Sequence, residues 1–250
     1  MLRTRQAFDE QLEQLQQRLL QFGTFVEAMV DKAIRALTYQ DLNLAREVIA
    51  EDDTADHMDV EIEQMCMHLI AQQQPMGSDL RVIGSTMKVI ADVERIADYA
   101  VDIARIAIAL ADTEYFKPLV DIPRMAELVR HMLRRGLEAL IKRDMDMTRE
   151  IIEMDDEVDA LWRKLRAQLE DIMQERPLVV PQAVYLLLVA RYLERIGDHV
   201  ENIAERVAYV ETGQLTNLAP THRTDYQPES FNGAPGRAIQ HDEGKPSGGW

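Results

Sequence analysis

The 250-residue chain is 46% hydrophobic and 29% charged, enough apolar material for one sizeable core or a pair of smaller ones. Its formal net charge of −16 argues against DNA or RNA as the main partner, because a phosphate backbone demands clustered Lys and Arg; metal ions or basic protein surfaces suit it better. With a single cysteine, Cys66, no basic-then-apolar leader over Met1 to Glu10, and an apolar run from Ala183 to Ala190 that falls short of the roughly 20 residues of a membrane span, a reducing cytoplasm is the expected home. Any membrane association is then expected through a partner.

Glycine and proline are scarce before residue 212, and apolar residues recur at three- and four-residue spacing between them, which predicts six long helices. The first runs from about Arg5 to Tyr39. A tight turn at Gln40-Asp41 leads into the second, which stops before Pro75. Ser78 is placed to cap a third helix ending near Ala111. Asp112 to Pro123, with prolines at 118 and 123, reads as a linker between units. Three more helices follow over Arg124–Lys142, Asp144–Glu175 and Pro181–Glu211, the last opening on a proline suited to a first helical turn. From 213 to 250 the composition turns to Asn, Pro, Thr, Gly and Ser, and a disordered tail carrying Phe231 and Trp250 is expected.

The six helices are two sets of three, spanning 5–112 and 124–212. At an offset of 103, Met29, Ala36, Leu37, Asp41, Arg46, Glu47, Ile49, Asp52, Asp53 and Asp56 fall on Met132, Ala139, Leu140, Asp144, Arg149, Glu150, Ile152, Asp155, Asp156 and Asp159. At an offset of 100, Val93-Glu-Arg-Ile-Ala-Asp98 falls on Leu193-Glu-Arg-Ile-Gly-Asp198, so the third helix recurs after a three-residue deletion. The expected fold is therefore all-α, a tandem of two three-helix bundles.

Each copy holds two acidic pairs at four-residue spacing: Asp52 with Asp56 and Glu94 with Asp98, then Asp155 with Asp159 and Glu194 with Asp198. That spacing puts each pair on one helical face, where like charges repel by a few tenths of a kcal/mol. Asp102 prolongs the stripe in the first copy and Asn202 takes its place in the second. A solvated face neutralised by Arg95 or Arg195 would explain any single pair, but recurrence in both copies favours metal coordination. Carboxylate and amide oxygens suit hard cations such as Mg, Mn, Ca or oxidised iron. On a helical wheel Ile96, Ala100, Ile103 and Ala107 form a core stripe with Glu94, Asp98 and Asp102 nearly opposite, and Ile196, Val200, Ile203 and Val207 oppose Glu194, Asp198 and Asn202. The ligands are thus expected on the outside of the bundle.

This separates the chain from di-iron carboxylate bundles, whose Glu-x-x-His pairs point inward; no Glu-x-x-His occurs here. Gly-rich phosphate loops, zinc motifs and the Gly-x-Ser-x-Gly elbow are likewise missing from the sequence. Cys66 reads as buried packing, His68 as part of the packed second helix, and His199 as a plain surface residue beside Asp198.

Gln74-Pro-Met-Gly-Ser-Asp-Leu-Arg81, the paired Glu-Arg-Ile-(Ala/Gly)-Asp motifs at 94–98 and 194–198, and His199-Val-Glu-Asn-Ile-Ala-Glu205 resemble the bacterial phosphate-uptake regulator family PhoU over roughly residues 5–212. The resemblance implies a fold of two similar three-helix bundles whose acidic motifs can hold surface metal clusters of Fe, Mn, Mg or Zn. Asp52, Asp56, Glu94 and Asp98 would serve one site and Asp155, Asp159, Glu194 and Asp198 the other, with Asp102 standing where the family often has asparagine. It further implies a homodimeric, non-enzymatic negative regulator of the phosphate-starvation response, linking the ATPase subunit of a phosphate ABC transporter to a membrane sensor histidine kinase. A metal-dependent hydrolase acting through the carboxylate clusters and a metal-free helical scaffold are the alternatives.

Overall fold

The computed structural model describes residues 2–215 and Leu218, with side chains from Gln6 onward. The expected tail beyond these residues, with Phe231 and Trp250, lies outside them. Six α-helices follow in order: α1 (Leu2–Tyr39), α2 (Leu42–Gln73), α3 (Ser78–Ala109), α4 (Asp121–Lys142), α5 (Met145–Glu175) and α6 (Val180–Thr212), with a 3-10 turn at Pro177–Val179 before the last. No strand occurs among the described residues.

The repeat is visible in the way the helices begin. Gln40 and Arg143 sit at equivalent positions, both with φ of 56°. Asp41 and Asp144 follow them in extended conformation, and each side chain accepts hydrogen bonds from the two amides that open α2 or α5, Asn43 and Leu44 or Asp146 and Met147. One expected cap is not realised. Gly77 precedes α3 with no side chain to offer, so Ser78 is the first helical residue rather than the cap.

Helices α1, α3, α4 and α6 make the centre, and α2 and α5 flank it. α3 packs on α6 and α1 on α4, while α2 touches only helices of its own copy, as does α5 apart from the 3-10 turn. Buried side chains of both copies, from Phe8 and Leu15 to Val207 and Val210, form one continuous cluster rather than two. The α3–α6 contact is antiparallel and nearly two-fold. Tyr99 stacks on Tyr192 with ring centroids 5.6 Å apart, and Arg81 Nε donates to the Val210 carbonyl at 3.1 Å. On the α1–α4 side the tip of Leu137 fills the space a Cβ on Gly23 would take, so a larger residue there would have to displace that side chain. Arg130 and Arg134 straddle Glu27 and Asp31 beside it, with Arg130 Nη1 2.5 Å from Asp31 Oδ1.

The linker is tied to both copies. Gln40 Nε2 donates to the Leu110 and Thr113 carbonyls at 2.8 and 2.7 Å, and Gln182 accepts from the Phe116 amide at 3.0 Å while donating to Glu114. Ion pairs across the flanking helices recur as well. Lys32 bridges to Glu47 as Arg135 does to Glu150, and Arg18–Glu61 reappears as Asp121–Lys164 with the charges exchanged. Preservation of the pair through reversal of its signs says that attraction, not the identity of either residue, is what those positions require.

By length and composition, the segment Pro177–Thr212 could cross a membrane, its richest window reaching a mean hydropathy of 1.2. Here the apolar positions Ala183, Leu186, Val189, Ala190 and Leu193 are buried against the neighbouring helices, which accounts for them as core. The caps give the fold its first test: Asp144→Ala is expected to cost about 1 kcal/mol in urea unfolding, and Asp41→Ala a similar amount. Losses well below a few tenths of a kcal/mol at both would show that the caps contribute nothing.

Candidate functional site

The core stripes predicted for α3 and α6 are buried: Ile96, Ala100, Ile103 and Ala107 are at most 2% exposed, and so are Ile196, Val200, Ile203 and Val207. The acidic stripes lie on the outside only in part: Asp56 is exposed and Asp52, Glu94, Asp98, Asp102, Asp159 and Asp198 are part-exposed, whereas Asp155 and Glu194 are buried. Each of α3 and α6 packs against three helices, so its buried arc is wide, and a wheel centred on the core stripe leaves out the flanking helix. That flanking helix, α2 or α5, carries the other acidic pair, and the carboxylates meet in a groove between the two.

In the first copy Asp52 and Asp56 on α2 face Glu94 and Asp98 on α3. Burial, reinforced by Asp56 and Asp98, pushes the Asp52 carboxyl above the usual carboxylate range. Glu94 is raised by burial and by Asp98, with Arg95 opposing and Asp59 and Asp56 adding to it. Asp59 belongs to this group although the four-residue spacing passes over it. It lies on the same face, seven residues after Asp52, and an i, i+4, i+7 search would have found it. Burial, Glu63 and Asp56 raise it, and its Oδ1 is buried with no hydrogen-bond partner. Arg95 bonds Asp98 at 2.8 Å and Arg105 bonds Asp102 at 2.8 Å. Asp52, Arg95, Asp98, Tyr99, Asp102 and Arg105 line an open cleft of about 310 Å³.

The second copy departs from this plan. Asp155 is only 3% exposed and Glu194 only 9%. The reason lies one turn along α6: a Cβ at Gly197 would stand 2.6 Å from Asp155 Oδ1, whereas the first copy has Ala97 at the equivalent place. Glycine leaves room for Asp155 to lie against α6; Asp52, in the copy that has Ala97, lines the cleft. Glu194 is bonded by Arg191, whose guanidinium also lies over the Trp162 ring, 5.8 Å from its centroid. Arg195 bonds Asp198 at 3.1 Å. Burial and Asp198 nevertheless push the Glu194 carboxyl up to about 7, against the pull of Arg191 and Arg195.

Asn202 and His199 belong elsewhere. Asp92 on α3 is bonded by His199 Nδ1 at 2.9 Å and by Asn202 Nδ2 at 3.1 Å, so both residues hold the α3–α6 contact. His199 is half-buried there, not a plain surface residue, and it tilts against Tyr99 at 5.8 Å. The nearly two-fold arrangement puts Tyr192 against Tyr99 near Asp102 on the other side. His68, expected on the packed side of the second helix, is exposed on α2 with Nδ1 on the Gln64 carbonyl. Cys66 is fully buried, and burial pushes its thiol up to about 12, as suits packing rather than chemistry.

Among the described residues no three His, Cys, Asp or Glu side chains are grouped as a ready metal site. The first groove fits a hard cation by its donor set and by the unpartnered Asp59 oxygen. The second does not fit, because a guanidinium already bonds its central glutamate and one of its aspartates has turned inward.

Known proteins resemble the chain along nearly all of the described residues. The PhoU domain family model matches twice, at residues 19–107 and 122–207. A phosphate-specific transport system accessory protein PhoU homolog of Clostridium acetobutylicum is 38% identical over 86% of this chain and 99% of its own. The homolog of Aquifex aeolicus is 38% identical over 82% and 93%. The crystal structure of PhoU from Pseudomonas aeruginosa superposes with a TM-score of 0.79 at 35% identity, covering 83% of this chain and all of that one.

The groove carboxylates make stability depend on pH in a stated direction. Glu194 binds its proton more tightly folded than unfolded, where the value is about 4.5, so its contribution to stability is lost as pH rises through about 4.5 to 7. In chelator-treated protein Glu194→Gln is expected to gain stability relative to the parent between pH 5 and pH 8, measured by urea unfolding. Parallel stability curves for the two proteins would contradict the raised carboxyl.

Proposed function

The chain belongs to the PhoU family, carrying its domain in tandem, and from that premise we propose that it is an accessory regulator of phosphate transport. It acts in the cytoplasm as an adaptor between the ATPase subunit of a phosphate ABC transporter and a membrane sensor histidine kinase, restraining the phosphate-starvation response when phosphate is plentiful. The observation that carries this reading is the near-complete match, along 99% of its length, to a relative named as an accessory protein of a phosphate-specific transport system. The relative's name gives the transport system; the kinase, the sense of regulation and a homodimeric state are the finer parts of the proposal.

The architecture supports an adaptor rather than an enzyme. Two copies of one fold, related by a nearly two-fold contact, present one acidic groove each to different partners, and one molecule on both raises their effective concentration for each other. The cleft beside Asp52 and Asp98 is open and lined by ion-paired carboxylates and arginines rather than by a nucleophile with its base. Docking to a basic partner surface gains from such faces in rate and orientation.

In the first groove Asp52, Asp56, Asp59, Glu94 and Asp98 are the residues that would hold a divalent cation or iron. A bound ion would supply positive charge there, lowering the repulsion among these carboxylates and changing the electrostatic match with a partner. The chain's own residues set how strongly that matters: Arg95 and Arg105 compete for Asp98 and Asp102, and Asp59 has no such competitor.

Expressed in a bacterium deprived of its own PhoU-family protein, the chain is expected to restore repression of a phosphate-starvation reporter in phosphate-rich medium. It is also expected to retain the transporter's ATPase subunit in a pull-down with purified components. A reporter that stays derepressed, with the chain present and folded, would overturn the regulatory reading. Bound Mn measured by elemental mass spectrometry is expected to fall in the Glu94→Ala, Asp98→Ala variant while helicity is kept.

A further inference from the structure

The two grooves are equivalent in backbone and unlike in charge. At the position where α2 carries Asp59, α5 carries Trp162; where α3 carries Ala91, α6 carries Arg191. These two replacements meet in space. The Arg191 guanidinium lies over the Trp162 ring within reach of cation–π attraction, and one of its Nη atoms bonds Glu194 Oε1. The first groove has an aspartate and a methyl group at those places, so it holds five carboxylates, Asp52, Asp56, Asp59, Glu94 and Asp98, against Arg95 and, at its Asp52 end, Arg105. The second holds four, Asp155, Asp159, Glu194 and Asp198, against Arg191 and Arg195.

We propose that Arg191, clamped by Trp162, is a built-in counter-ion that takes the place of a metal in the second groove, so that only the first groove responds to cations. The inference takes from the function proposed above only that such grooves attract cations. Several independent features agree on it. Glu194 is 91% withdrawn from solvent and takes a charged donor on Oε1 from within its own helix, although its Oε2 has no hydrogen-bond partner. Gly197 leaves room for Asp155 to lie against α6, whereas Asp52 lines the first cleft. Asp59, the one residue of the first groove that Trp162 replaces, has a buried oxygen without a hydrogen-bond partner. An arginine cannot dissociate as a metal can, so the second face keeps one electrostatic character at every cation concentration. A tandem adaptor of this kind would present one constant face and one adjustable face.

The experiment follows Mn2+ binding by electron paramagnetic resonance in a Glu94→Ala, Asp98→Ala background, in which the first groove is disabled. With Arg191 and Trp162 in place this protein is expected to bind no Mn2+ at the second groove. Adding Arg191→Ala with Trp162→Asp is expected to create binding, with an affinity gain of about tenfold or more. Should that protein lose helicity, Arg191→Gln alone in the same background keeps the Trp162 packing and carries the same expectation. Mn2+ bound at the second groove while Arg191 is present would overturn the proposal, and so would a folded variant that gains nothing. A first groove that fails to bind in the intact chain counts instead against the function proposed above, because the Arg191 claim is decided in the second groove.

Discussion

Like charges packed face to face between two helices are the constraint around which this molecule is arranged. Each copy lays an acidic pair on its flanking helix against another on its central helix, in a groove where water is partly excluded and repulsion is correspondingly stronger. Left alone, such a groove would push the helices apart; burial and neighbouring carboxylates already raise the proton affinity of Asp52, Asp59, Glu94, Glu194 and Asp198. The structure answers with arginines drawn from the same helices, Arg95 and Arg195 three residues before their aspartates. Where those do not suffice, it answers differently in each copy: Arg191 on Trp162 in the second, and an uncompensated Asp59 in the first.

The scaffold that holds the grooves in place is made by contacts between the copies. α3 and α6 are bound across their nearly two-fold axis by the Tyr99–Tyr192 stack and by Asp92 with His199 and Asn202. α1 and α4 are bound by Arg130 and Arg134 on Glu27 and Asp31, beside the packing of Leu137 on Gly23. One continuous core runs through both. The flanking helices α2 and α5 stand outside this centre, each touching only its own copy apart from the 3-10 turn. A change of charge in one groove therefore acts on a flanking helix whose apolar face, from Val48 to Leu69 or from Ile151 to Leu169, belongs to the same core.

Much of this was legible in the sequence. Helix number and order, the tandem repeat, the Asp144 start of the fifth helix and the core stripes of α3 and α6 follow from apolar periodicity and from matching the sequence to itself, because those signals are local or repeated. The direction of the acidic stripes was not. A wheel drawn for one helix locates its core but not the neighbour on its flank, so Glu194 read as outward when it is buried. Asn202 and His199 read as site and surface residues because their partner, Asp92, lies more than a hundred residues away and shares no motif with them. Trp162 and Arg191 carry no signal in isolation. Only the repeat alignment, inspected for its mismatches rather than its matches, sets them against Asp59 and Ala91.

Two copies of one groove thus differ in counter-charge, with Arg191 over Trp162 in the second where the first has Asp59 and Ala91. Crystals grown with MnCl2 and measured at an energy that maximises Mn anomalous scattering test it directly. An anomalous peak is expected between Asp52, Asp56, Glu94 and Asp98, with the guanidinium of Arg191 still on Glu194 in the second groove and no peak beside it. A peak between Asp159, Glu194 and Asp198 with Arg191 displaced, or equal peaks in both grooves, would contradict it.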